Sequence, residues 1–175
     1  VPLWTRHLQR LARGCHSLRF DLPAEQLTAE VDLLAQRLVD GVIKLILTRG
    51  SGQRGYAMPL PAEPNRILLG SPAPAYPLVN AEQGIRLFAC QTRLGHQPAL
   101  AGLKHLNRLE QVLARSEWQS DDYAEGLVCD LTGQPIECTM SNLFLRIAGV
   151  WVTPELTQCG VQGVMRDLLI EASTQ

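Results

Sequence analysis

The chain contains two stretches that decide its fold, AGLKHLNRLEQ at residues 101–111 and IECTMSNLF at residues 136–144. In the first stretch, Lys104 follows a glycine-containing loop and precedes an amphipathic pattern. Such junctions between loops and regular elements commonly hold catalytic groups. The other lysine of the chain, Lys44, alternates within an apolar strand pattern, where its stem can lie along apolar surface. Lys104 is therefore the candidate for chemistry, and a solvated surface lysine is the alternative.

Composition restricts the class of protein. The 175 residues carry a formal charge of -1, so no global basic field favours nucleic acid or anionic membrane as a partner. No apolar run approaches the roughly 20 residues of a membrane span, and no signal peptide is visible. Five cysteines without a C-x-x-C pair predict reduced thiols in the cytoplasm. The four histidines show no metal-ligand spacing, so no metal site is predicted.

The first half of the chain has the pattern of two helices followed by two strands. Apolar residues recur at helical spacing from Trp4 to Leu18. A second stripe predicts a helix from about Pro23 to Val39, with Asp21 as its candidate N-cap. The β-branched, apolar run at 42–48 predicts a strand buried on both faces, with residues 66–69 as its partner.

The second half mixes strands with two helices. A helix is predicted from about His105 to Trp118, with Leu106, Leu109 and Leu113 facing inward. Gly133 and Gly149 are expected at turns between short strands. The predicted strands are 85–90, 126–129, 135–137, 143–147 and 150–152, and a last helix is predicted from near Gly163 to the end.

A proline-rich stretch separates the two halves. Residues 71–77 contain three prolines, which exclude a helix or a central strand. We therefore expect an α+β chain with a small N-terminal domain at 1–72, a linker at 73–83 and a larger domain at 84–175.

The glycine-rich run GSGQRG at 50–55 has the form G-x-G-x-x-G. A dinucleotide site needs a helix to begin there, and the prolines that follow at 59, 61 and 64 oppose one. A flexible hairpin or crossover loop is the simplest interpretation, and a substrate-binding loop is the better one. Arg54 and Tyr56 on this loop are candidates to contact an anionic substrate.

Several motifs together resemble the fold-type IV pyridoxal-phosphate enzymes, the branched-chain/D-amino-acid aminotransferase superfamily. KHLN at 104–107 is similar to their K-x-x-N segment, and residues 136–144 are similar to T-E-x-x-x-S-N-x-F. Residues 153–154 and 160–166 resemble the T-P and G-x-x-R that close the cofactor pocket. The order and spacing agree over nearly the whole chain, which implies a two-domain fold of this type.

The resemblance also implies a cofactor, pyridoxal 5'-phosphate, and roles for individual residues. Lys104 would carry the cofactor, and Glu137 would lie beside its pyridine nitrogen and keep it protonated. The alternative for Glu137 is an exposed glutamate at a strand end. For Arg10, which the resemblance assigns to the cofactor phosphate, the alternative is an exposed helix arginine. The further implied residues are Arg10 and the backbone N–H groups of Gly163, Val164 and Met165 at the phosphate, with Ser141 and Asn142 as braces.

Within the superfamily, residues 48–56 and 94–111 are most similar to the 4-amino-4-deoxychorismate lyases. That similarity implies a lyase of folate biosynthesis, a homodimer that converts aminodeoxychorismate to 4-aminobenzoate and pyruvate. Arg54, Tyr56 and Arg93 are then candidates for the two substrate carboxylates. The alternatives are a D-amino-acid or branched-chain aminotransferase, a nucleotide-binding module built on residues 50–55, and an inactive scaffold. Family members have a β-hairpin before the first helix and further elements after the last, so N- and C-terminal parts are expected to be missing.

Overall fold

A computed structural model describes residues 1–38 and 40–173. The chain divides into two compact units, Val1–Pro77 and Leu78–Gln175. The two predicted helix ends at Val39 and at the last residues lie outside the described part of the chain.

The first unit begins with two helices, α1 (Trp4–Ser17) and α2 (Ala24–Ala35). Cys15 of α1 and Leu27 and Val31 of α2 are buried. The predicted first helix is confirmed. The second is shorter than predicted, because bonds from Arg37 to Leu34 and from Leu38 to Ala35 tighten its end into a turn. The Asp21 cap was wrong, since Pro23 is the N-cap and no side chain bonds there.

Two antiparallel strands complete this unit, β1 (Gly41–Thr48) and β2 (Asn65–Pro72), in an unbroken register that pairs Leu45 with Leu68. The pairing is confirmed, but burial of β1 on both faces was wrong. The sheet has two strands, and most of β1 is half-buried or exposed. An ion pair between Glu30 of α2 and Arg66 of β2, with N···O distances of 2.9–3.1 Å, ties a helix to the sheet.

The described elements of the second unit are α3 (Val79–Gln83), β3 (Leu87–Leu94), α4 (Leu109–Arg115), β4 (Glu125–Asp130), β5 (Pro135–Cys138), β6 (Leu145–Ile147), β7 (Val150–Val152) and α5 (Val164–Ser173). A three-stranded sheet has the order β3-β4-β5, with β3 parallel to β4 and β4 antiparallel to β5. A separate antiparallel hairpin of β6 and β7 follows. Gly133 and Gly149 have φ of 85° and 86°, which confirms them as turn residues.

The core of the second unit lies where α4 and the following turn pack on the sheet. Trp118 stacks on Phe88 with ring centroids 5.3 Å apart. Gly126 of β4 is required here, because a Cβ at this position would lie 2.5 Å from the Cys90 sulfur and 2.7 Å from Trp118. The buried cluster consists of Cys90, Leu94, Ala114, Trp118, Val128, Ile136 and Cys159.

The sequence misplaced α4 and β3. Helix α4 begins at Leu109 instead of His105, and β3 spans Leu87–Leu94 instead of 85–90. Ala114 is the buried residue of α4 and marks its packed face, so the helix turns its leucines away from this core. The predicted inward residues are exposed in the described structure: Leu106, Leu109 and Leu113.

The cysteines are free, and burial raises the pKa of the Cys90, Cys138 and Cys159 thiols to about 11. Among the described residues, no group of three or more His, Cys, Asp or Glu is arranged to hold a metal ion. The described helices are also too short or too polar to cross a membrane.

Candidate active site

The loop that carries Lys104 is bonded to the turn before α5. The Gly102 N–H donates to the Gly160 carbonyl at 2.9 Å, and the Gln162 N–H donates to the Gly102 carbonyl at 3.0 Å. These two bonds form a parallel bridge between Gly102 and Val161. Gly102 and Gly160 both have positive φ, of 76° and 85°, which favours glycine at both positions. The bridge therefore fixes the approach of the backbone to Lys104.

Glu137 of β5 lies against the same turn and is 4% exposed. Its Oε2 accepts the Val161 N–H at 2.7 Å, and its Oε1 accepts Nε2 of Gln111 at 3.3 Å. Burial raises the pKa of Glu137, while the Val161 N–H, the Gln111 amide and the positive charges of Arg108 and Lys104 oppose that rise. A buried carboxylate whose hydrogen-bond donors favour its charged form is suited to keep the pyridine nitrogen of the expected cofactor protonated.

Lys104 is exposed in this structure. The partial desolvation expected for a nucleophilic lysine is therefore not present among the described residues. Its charge nevertheless acts on Glu137, because Lys104 is one of the two cations that lower the pKa of that carboxyl group. Lys104 and Glu137 thus belong to one electrostatic environment within the second unit.

Arg108 contacts the backbone on both sides of Lys104. Its Nη2 donates to the Leu103 carbonyl at 2.6 Å, and its Nε donates to the His105 carbonyl at 3.2 Å. Burial lowers the pKa of Arg108, and the negative charges of Glu137 and Glu110 counter that effect.

The turn after β5 is held by a second buried acid, Glu125. Its Oε1 accepts the Met140 N–H at 2.6 Å, and its Oε2 accepts the Ser141 hydroxyl. Asn142 then donates from Nδ2 to the Val161 carbonyl at 2.7 Å. Ser141 and Asn142 make contacts of the kind that bracing residues need, and their effect on activity stays a prediction.

Helix α5 begins directly after this turn. A Cβ on Gly163 would lie 2.1 Å from Oδ1 of Asn142, so a larger residue here would displace the Asn142 side chain. Arg166 donates to Thr153 Oγ1 at 3.2 Å and to the Pro154 carbonyl at 2.9 Å, which ties the first turn of the helix to the loop before it. The first N–H groups of a helix have no partner within the helix, and here they begin at Val164. They are suited to bind an anion, and the phosphate-binding role of Gly163, Val164 and Met165 stays a prediction.

The other predicted site residues lie in both units. In the first unit, Arg10 lies on α1 and its Nη2 is 3.5 Å from Nδ1 of His7. The loop at 50–55 leads into no helix, as predicted, and both Arg54 and Tyr56 are exposed on it. In the second unit, Arg93 lies on β3 and donates to the Cys90 carbonyl at 2.7 Å. The substrate-binding roles of the last three stay predictions.

A third buried acid, Asp130, fixes the loop that leads to Lys104. Its Oδ1 accepts the Thr132 hydroxyl at 2.7 Å and the N–H groups of Thr132 and Gln134, and its Oδ2 is 3.0 Å from Nε2 of His96. The Thr132 hydroxyl, with His96 and the two N–H groups, lowers the pKa of Asp130 to about 2, against the opposing effect of burial. His96 belongs to the turn at 95–102, so this contact connects that turn to the β4–β5 hairpin.

Sequence reasoning assigned no role to Gly102, Arg108, Gln111 or Glu125. Arg108 and Gln111 lie inside the stretch that identified Lys104, four and seven residues after it, and their nearness in sequence was an available signal. No comparable signal marks Glu125, whose partners lie fifteen and sixteen residues away along the chain.

Comparison with known proteins gives consistent results. The chain is 35% identical to an aminodeoxychorismate lyase of Vibrio harveyi over 96% of its length, and it spans 62% of that protein. A crystal structure of 4-amino-4-deoxychorismate lyase from Pseudomonas aeruginosa is 54% identical, with a TM-score of 0.94 over 98% of this chain and 64% of that one. A putative branched-chain-amino-acid aminotransferase of Methanocaldococcus jannaschii is 30% identical over the whole chain and 62% of its own length.

The family assignment rests on the full length of the sequence. Residues 1–175 match the family described as amino-transferase class IV. The Escherichia coli branched-chain amino acid aminotransferase shares the fold at 24% identity with a TM-score of 0.75. The fold-type IV architecture inferred from the motifs is confirmed, and the chain belongs to the class IV aminotransferase family.

Proposed function

We propose that the protein is a pyridoxal-phosphate-dependent lyase that converts 4-amino-4-deoxychorismate to 4-aminobenzoate and pyruvate, a step of folate synthesis. The observation that carries this proposal is the 54% identity to the Pseudomonas aeruginosa lyase, which extends over 98% of the chain. The same comparison supports a small-molecule substrate. A homodimer in the cytoplasm is part of the proposal, and the reduced, buried thiols fit that compartment.

The residues of the second unit fit the cofactor. Glu137 presents a buried carboxylate whose two hydrogen bonds favour its charged form. Gly163 immediately precedes α5, and the first N–H groups of that helix are suited to bind a phosphate. Arg10, on α1 of the first unit, is proposed as a phosphate-binding arginine, because an arginine fork matches phosphate geometry.

The chain's own residues account for the proton transfers. The Lys104 amine would remove the proton from the carbon that bears the substrate amine. When bound, pyridoxal 5'-phosphate supplies an electron sink for the negative charge left on that carbon. Glu137 would hold a proton at the ring nitrogen throughout. The enolpyruvyl group leaves the substrate as pyruvate, and the six-membered ring of the substrate becomes aromatic. Lys104 is suited to return the proton to the leaving group.

Aminotransfer is the second candidate, because a branched-chain aminotransferase relative is also 30% identical. The two reactions differ in what they require. An aminotransferase needs a second keto acid to accept the amino group, whereas the elimination needs none.

The full-length protein should therefore release pyruvate and 4-aminobenzoate in equal amounts from aminodeoxychorismate with no added keto acid. Both products are measured in the same reaction, by coupled pyruvate reduction and by fluorescence of 4-aminobenzoate. Turnover that depends on 2-oxoglutarate, with D-alanine or leucine as donor, would establish the aminotransferase instead.

A further inference from the structure

We propose that Arg108 is a positioning residue for Lys104, holding the backbone on both sides of the lysine with one guanidinium group. This inference rests on the proposed function only in taking Lys104 as the cofactor-binding lysine. The clamp itself is a property of the chain without cofactor.

The two hydrogen bonds of Arg108 bracket Lys104. They reach the carbonyl oxygen of Leu103, at 2.6 Å, and that of His105, at 3.2 Å. Residues 103–108 belong to neither helix nor strand, so these carbonyl groups have no place in a regular hydrogen-bond ladder. The guanidinium of Arg108 therefore provides the hydrogen-bond donors for the carbonyl groups immediately before and after Lys104, where no helix or strand provides them.

The geometry requires an arginine. A guanidinium is planar and carries donors in a fixed fork, so Nε and Nη2 can bond two separate carbonyl groups at once. A lysine ammonium at this position would keep the charge but concentrate its donors at one point. The clamp therefore predicts that lysine cannot replace Arg108.

A purely local helix-stabilising role does not explain this arginine. Arg108 is the N-cap residue of α4, and its side chain makes no cap hydrogen bond. Positive charge is unfavourable at a helix N-terminus, where the helix dipole is also positive. The positive charge of Arg108 at the N-terminus thus destabilises α4, whereas the positive charge of Arg115 in the last turn stabilises it.

The positive charge of Arg108 also acts on Glu137. Arg108 and Lys104 are the two cations that favour the charged form of Glu137. Arg108 also lies three residues before Gln111, whose Nε2 donates to Glu137 at 3.3 Å. One side chain therefore fixes the lysine backbone and adds positive charge near the carboxylate.

The test compares Arg108→Lys and Arg108→Gln with a matched pair, Arg115→Lys and Arg115→Gln, in the full-length protein. Arg115 lies on the same helix and also donates to a carbonyl, that of Trp118 at 3.0 Å, but it does not bracket Lys104. Hydrogen–deuterium exchange of the peptide 101–108 is measured without cofactor. The dissociation constant for pyridoxal 5'-phosphate and the mass of the borohydride-fixed adduct at Lys104 are measured with it.

Both Arg108 variants should speed exchange in 101–108 and weaken cofactor binding by about ten- to a hundredfold, the effect of losing charged hydrogen bonds. The Arg115 variants should leave both readouts unchanged, and melting temperatures show whether each protein is folded. If Arg108→Lys behaves like the wild type in exchange and binding, the two-carbonyl clamp is overturned. If the wild type fixes no cofactor at Lys104, the proposed function falls, and the exchange comparison alone still decides the clamp.

Discussion

Replacing Glu137 with glutamine keeps the shape of the side chain and removes its charge. The structure defines what is lost. Glu137 accepts the Val161 N–H at 2.7 Å and the Gln111 amide at 3.3 Å on separate oxygens. Glutamine has one acceptor oxygen, so one donor loses its partner, which costs about 1–3 kcal/mol of stability. An amide also cannot keep a ring nitrogen protonated, so about 3–4 kcal/mol of charge stabilisation is lost during reaction, a 10²–10³-fold slower turnover.

The assay for Glu137→Gln separates chemistry from binding. Initial rates of pyruvate release from aminodeoxychorismate are measured at saturating pyridoxal 5'-phosphate, alongside a cofactor titration and a melting curve. The rate should fall far more than cofactor occupancy. Glu82→Gln is the matched control, because Glu82 is an exposed acid on α3. Wild-type turnover by a folded, cofactor-loaded Glu137→Gln protein would refute the role of this carboxylate.

Three further perturbations test other parts of the molecule. Lys104→Ala should abolish borohydride fixing of the cofactor and Lys44→Ala should not, and a labelled peptide containing Lys44 would contradict the assignment. Arg10→Ala should raise the cofactor dissociation constant about ten- to a hundredfold with little change in the chemical step, whereas Arg13→Ala on the same helix should not; equal affinities would place Arg10 among surface residues. Asp130 has its pKa lowered from 3.8 to about 2, so its stabilising contribution is complete above pH 3.8 and is lost as pH falls towards 2. Asp130→Asn should remove that part of the acid dependence in urea unfolding, and an unchanged pH profile would disprove the contribution.

Periodicity predicted which segments are regular and was less informative about burial. The apolar spacing from Trp4 to Leu18 predicted α1, on which Cys15 is buried and most of the stripe is half-buried. The stripe of Leu109 and Leu113 has equal spacing but is exposed, so the pattern indicated a helix there without showing what covers it. The predicted helix start at His105 was too early: the His105 carbonyl, which an α-helix from this residue would have paired with the Leu109 N–H, accepts Nε of Arg108 instead.

The sequence predicted the main residues of the candidate site but not the contacts that support them. Lys104 and Glu137 lie in short motifs whose order along the chain carries the resemblance. Their supporting contacts depend on tertiary structure. Gln111 meets Glu137 across 26 residues, and Glu125 meets Ser141 across 16. No local pattern encodes such pairs, because each partner is an ordinary residue for its own helix or strand.

Three buried acids explain how loops can hold a site together. Among the described residues, Glu125, Asp130 and Glu137 are the buried charged side chains, and each accepts at least one backbone N–H from a turn. Burying a charge is costly unless it is hydrogen-bonded, and a loop N–H is costly to bury unpaired. Each contact satisfies both requirements at once. The turns at 132–134, 139–141 and 160–162 are therefore each held by a buried carboxylate.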